Sequence, residues 1–148
     1  ARAGLAWNTE VPGRDAWEGD NAQWYMQLMV NAMYGERFAI GIVPSYLHNS
    51  HLPCPDVQYS FTIGVHAQYY ITDVFNVLLE LNPTVSGWRT AHNPVSFGIE
   101  LETGGHFFKV ILSNSDLLNP SQFLAGAGNN FNDGEWHIGF NITRLLTF

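Results

Sequence analysis

The stretch HNSHLPC, residues 48–54, is the densest in groups able to do chemistry, with His48, Ser50, His51 and Cys54 close together. Two imidazoles and a thiolate at this spacing suit zinc, copper or haem iron, with His92 or Asp56 supplying a fourth ligand from elsewhere. An exposed polar loop accounts for the same string without any metal. The string is not the C-x-x-C-H that attaches haem covalently. A hydrolase would use Ser50 as nucleophile with His48 and a loop acid. No G-x-S-x-G is present to set a serine on a strained elbow. The expectation is no enzymatic activity and no cofactor, with a metal at His48, His51 and Cys54 as the one exception to check.

A second set of charged residues sits in alternating stretches: His66 in VQYSFTIGVHAQYYI, Glu80 in VFNVLLELN, Glu100 and Glu102 in VSFGIELET, and Lys109 in HFFKVILS, with Arg37 at a turn. Their role depends on the elements that carry them. In VQYSFTIGVHAQYYI, Val57, Tyr59, Phe61, Ile63, Val65, Ala67, Tyr69 and Ile71 alternate with mainly polar or small residues, which is the period of a strand. Similar runs cover residues 22–34, 38–47, 74–82, 95–103, 106–115 and 134–148, with a weaker one at 1–8. The chain therefore predicts about eight strands and no convincing helix. Tight turns at Gly35 to Arg37, Thr72 to Val74 and Gly104–Gly105 alternate with long loops at 9–21, 48–56, 83–93 and 116–133. Short turns at one end and long loops at the other suit an antiparallel up-and-down barrel of the transmembrane kind.

Hairpin registers separate two faces. A two-residue turn at Gly104–Gly105 opposes Phe97 to Leu112, Ile99 to Val110 and Leu101 to Phe108 on one face. On the other it opposes Ser96 to Ser113, Gly98 to Ile111 and Glu100 to Lys109. A three-residue turn at Gly35 to Arg37 pairs Val30 with Ile42 on the apolar face and Asn31 with Gly41 on the polar one. If Ile71 pairs with Phe75, His66 comes opposite Glu80, as a proton-handling pair or a plain interior hydrogen bond. The polar face holds Gly, Ser, Gln, Asn and His rather than the dense charge of a solvated surface. It reads as a lumen carrying Arg37, His66, Glu80, Glu100, Glu102 and Lys109, and the apolar face reads as a lipid contact.

Composition agrees. The 148 residues are 46% hydrophobic and 14% aromatic but only 13% charged, without a continuous apolar run long enough for a membrane helix. A net charge of −7 with six scattered Lys and Arg excludes nucleic acid as a partner. One cysteine excludes an internal disulfide. Aromatics fall near both strand ends, with Trp24, Tyr46, Tyr59 and Trp136 by the long loops and Tyr34, Phe38, Tyr69, Phe75, Phe108 and Phe148 by the short turns. That is the pattern of two interfacial girdles.

The segments FGIELETGGHFFKVILSNS and WHIGFNITRLLTF, with their GGH turn and GFNITR closing strand, resemble the C-terminal end of a family of bacterial outer-membrane β-barrel proteins of unknown function. The resemblance covers roughly the last third of the chain. It implies an outer-membrane location and a closing strand in which Gly139, Phe140, Ile142, Leu146 and the terminal Phe148 signal to the barrel-insertion machinery. Arg144 departs from that pattern, standing where an apolar residue is commoner, although its stem can snorkel. The family's greater length implies that residues 1–148 are a single barrel domain or the C-terminal portion of a larger one. The function expected is porin-like passive transport, or a membrane-embedded scaffold for a protein partner at the long loops. The alternatives are a closed small barrel binding a ligand, metal or protein through its loops and, behind it, a lipid-acting enzyme.

Overall fold

A computed structural model describes residues 1–117 and 119–145. Its strands are β1 (Arg2–Trp7), β2 (Ala22–Gln27), β3 (Val30–Tyr34), β4 (Phe38–His48), β5 (Tyr59–Tyr70), β6 (Phe75–Leu81), β7 (Thr84–Gly87), β8 (Val95–Thr103), β9 (His106–Ser113) and β10 (His137–Arg144), and one short helix, α1 (Pro120–Leu124), precedes β10. All pairings between the strands are antiparallel, in the order β1-β2-β4-β5-β6-β8-β9-β10, with β3 also on β4 and β7 also on β5. β2 and β3 are two halves of one stave of the wall, and so are β6 and β7. The sheet is an all-β half-barrel of eight staves. Among the described residues β1 pairs only with β2 and β10 only with β9. The twelve residues of β5 rise about 40 Å along the strand, or about 28 Å when tilted by about 45°, enough for the apolar band of a membrane barrel.

Prolines break both split staves. Leu28 N–H donates to Pro44 O at 3.1 Å, and Ile63 N–H donates to Pro83 O at 3.1 Å. Neither proline has an N–H to return the bond, so each pairing loses one rung. Pro44 stands opposite Ile63, and both interruptions therefore fall in one lateral row, Leu28–Pro44–Ile63–Pro83. The run expected to be continuous over 22–34 is thus β2 and β3, and the loop expected at 83–93 opens with β7. The β8–β9 hairpin follows the expected register throughout. Gly104 and Gly105 both take left-handed φ, 58° and 84°, as a two-residue hairpin turn requires.

The faces are segregated as the alternation predicts. Along β5, Tyr59, Phe61 and Ile63 are exposed while Ser60, Thr62 and Gly64 are buried. On β8, Phe97, Ile99 and Leu101 are exposed while Gly98 and Glu100 are buried. A soluble strand would do the opposite. On β10, Ile138 and Phe140 reach 77% and 63% exposure, against 40% for Ile99 and Val110 in mid-sheet, because the edge strand lacks a neighbour on one side. At the long-loop end of the convex face, Trp24, Tyr46, His48 and Tyr59 touch ring to ring at 5.2–6.2 Å. At the other end Tyr34 packs on Phe38. Trp136, expected inside the closing strand, stands just before it and stacks on Phe131 at 4.4 Å.

Candidate functional site

The concave face holds the polar side chains, and the register decides which of them meet. Glu100 on β8 is 5% exposed. Lys109 Nζ on β9 lies 2.7 Å from its Oε2. Its Oε1 accepts from Asn76 Nδ2 of β6 at 2.9 Å and from Gln68 Nε2 of β5 at 3.4 Å. Four strands thus converge on one carboxylate. A buried charge is tolerable when a counter-ion and further donors occupy its oxygens, and here both oxygens are occupied. Among the described residues this is the only Lys or Arg ion pair with a carboxylate.

His66 and Glu80 are register partners on β5 and β6, as expected if Ile71 meets Phe75, whose carbonyl does accept from Ile71 N–H at 2.9 Å. Both line a cavity of about 220 Å³ with Gln68, Ser96 and Lys109. No direct hydrogen bond joins the two side chains among the described residues. The His66 ring and the Asn31 amide instead occupy the space that a Cβ on Gly41 would need. The same rule applies elsewhere on the wall, where Ile111 fills the notch left by Gly98. Small residues on this face make room for large neighbours.

The remaining lumen expectations divide. Glu102 is half-buried on the concave side of β8, paired with Phe107. Arg37 sits exposed in the β3–β4 turn at the rim, where its carbonyl accepts from Tyr70 N–H at 2.8 Å.

At the long-loop end the loops weave together. Arg14 donates to Cys54 O at 2.6 Å, and Asn114 Nδ2 donates to Asn93 O and Asn129 O, each at 3.0 Å. Asn119 caps α1, its Oδ1 accepting from Ser121 N–H at 2.9 Å, with Pro120 at the first helical position. α1 packs against β2 and β4, and Leu124 and Ala125 form with Leu47 a buried apolar cluster flanked by Tyr25 and Trp88. Leu47 is an inward residue of β4, so this loop folds into the mouth of the half-barrel. The sequence reading does not anticipate it.

The histidine-rich loop does not gather its candidate ligands. His48 lies on the convex face, stacked on Trp24 with ring centres 5.3 Å apart. His51 stacks on Trp88 at 4.3 Å, and Cys54 Sγ lies 3.6 Å from Gln58 Nε2. Among the described residues no group of three or more His, Cys, Asp or Glu is placed to hold a metal ion. In the closing strand, Phe140 and Ile142 project from the convex face and Gly139 lines a concave cavity. Leu146 and Phe148 lie outside the described residues.

The family model described as "Membrane bound beta barrel domain (DUF5777)" matches residues 3–146. No curated protein and no solved structure matches the chain.

Proposed function

Because the chain belongs to this family of membrane-bound β-barrel domains, we propose that it stands in the bacterial outer membrane and gives small hydrophilic solutes a passive route across it. The observation that carries the reading is the inversion of the wall, with Phe97, Ile99 and Leu101 exposed outward and Gly98 and Glu100 buried within. An apolar exterior around a polar interior is what a barrel needs to hold water or ions within lipid. The closing strand, with Gly139, Phe140 and Ile142, is the segment offered to the barrel-insertion machinery. No catalytic role and no cofactor enter this reading. Reconstitution of the protein into planar bilayers tests it: discrete conductance steps support passive transport, and a folded, inserted protein that carries no current rules it out.

A scaffold for a protein partner is the second reading, favoured by the hydrogen-bonded cap that the long loops build over one mouth. Here the loops would present a fixed outer surface and the wall would serve as an anchor. Loss of partner capture on loop replacement, in a protein that still inserts, is the result it expects.

A further inference from the structure

Residues 119–127 fill space inside the half-barrel rather than above it. Leu124 is 1% and Ala127 1% exposed, and Leu47 beneath them is fully buried. The segment is tied to the connection between β7 and β8 at several points. Ala125 O accepts from Thr90 N–H at 2.8 Å and from Thr90 Oγ1 at 3.0 Å. His92 and Ala127 exchange both backbone hydrogen bonds, at 2.9 and 2.8 Å. Between these anchors Gly126 takes φ 112°, with Arg89, Thr90 and His92 crowding the position a Cβ would take. Only glycine passes there without strain. A mobile surface loop would show little of this; a segment fastened to its neighbouring loop and packed on Leu47 of the wall shows all of it.

A cavity of about 580 Å³ beside α1 is lined by Pro120 and Phe123, by Arg2 and Gln27 from one end of the sheet and by Ile138 from the other. It shares Glu80, Ser96 and Ile111 with the 220 Å³ cavity farther along the wall, so the two adjoin. Along them Lys109 is neutralised by Glu100, leaving the carboxylates of Glu80 and Asp116 against the guanidinium of Arg2.

We propose that residues 119–127 are a fixed constriction inside the barrel mouth, and that passage runs beside it through these acidic cavities, admitting small cations and dipolar solutes ahead of anions. The inference rests on the passive-transport reading for its selectivity but not for the seating of the segment, and two measurements keep these apart. The first is thiol labelling of the full chain carrying Leu47→Cys in a Cys54→Ser background. The thiol introduced at position 47 should be shielded from a membrane-impermeant maleimide. It should become at least tenfold more reactive when Leu124→Asp is added, or when 119–127 are replaced by a Gly/Ser linker should that variant not assemble. Equal reactivity with and without the segment overturns its placement. The second is single-channel conductance of the same proteins. A several-fold rise on removing 119–127, and loss of cation preference in Glu80→Gln, support the constriction. An unchanged conductance once the position-47 thiol is uncovered overturns it. A shielded thiol in a protein that never conducts overturns the transport reading while leaving the segment seated.

Discussion

The convex and concave faces of the wall are made from the same strands by opposite rules. The convex face of β8 and β9 is a sheet of Phe97, Ile99, Leu101, Phe108 and Val110, each with several others like it nearby. No one of them is bound to a particular partner. The concave face is specific: Glu100 meets Lys109, Asn76 and Gln68, and Ser96 Oγ meets Ser113 Oγ at 3.0 Å. Outward residues need only be apolar, because lipid accepts any apolar shape. Inward residues need partners, because each buried polar atom without one costs about 1–3 kcal/mol. The two faces should therefore tolerate different substitutions.

The largest effect should come from placing a charge on the convex face. Ile99→Lys is expected to destabilise the assembled barrel by about 2–4 kcal/mol if position 99 lies near the bilayer midplane, read as a lowered urea midpoint in lipid vesicles. Ser96→Lys, which lines the concave cavities opposite Glu80, should cost clearly less, and equal losses would erase the distinction between faces. Next is Lys109→Met, which keeps the stem but strips Glu100 of its counter-ion. The two amide donors remain, so a loss of about 1–3 kcal/mol is expected, recovered in part by adding Glu100→Gln. No recovery in the double variant would mean that the pair is not coupled.

The smallest effect, and the only gain, concerns the interrupted row. Pro44→Ala supplies the missing N–H and completes the rung to Leu28, while releasing about 0.4–1 kcal/mol of unfolded-state restriction as an opposing cost. A completed backbone hydrogen bond contributes about 0.5–1.5 kcal/mol net, so the variant should unfold at a slightly higher denaturant midpoint. A lower midpoint would mean that Leu28 O is already satisfied, by water at the interface.

How much of this can be read from the residues alone depends on distance along the chain. The β8–β9 hairpin is legible because its turn, register and alternation lie within one short stretch, and the Glu100–Lys109 pair follows from counting back from Gly104–Gly105. Asn76 and Gln68 reach the same carboxylate from strands farther back, and only the order of the sheet brings them there. Nothing in residues 22–34 marks the break at Leu28, since its cause is Pro44 on the neighbouring strand. Asn119–Pro120 is a recognisable helix start, but five residues are too few to show a helical period, and Leu124 finds its place only through Leu47.

Transport, the constriction and the contrast between faces all depend on which face meets lipid, and spin labels along β8 measure that directly. Single cysteines at positions 96 to 101, in a Cys54→Ser background and in lipid vesicles, would report their access to oxygen, which concentrates in lipid, and to a polar nickel complex, which stays in water. A period of two is expected, with high oxygen access at 97, 99 and 101 and low access at 96, 98 and 100. The opposite phase, or no alternation at all, would contradict a lipid-facing convex wall.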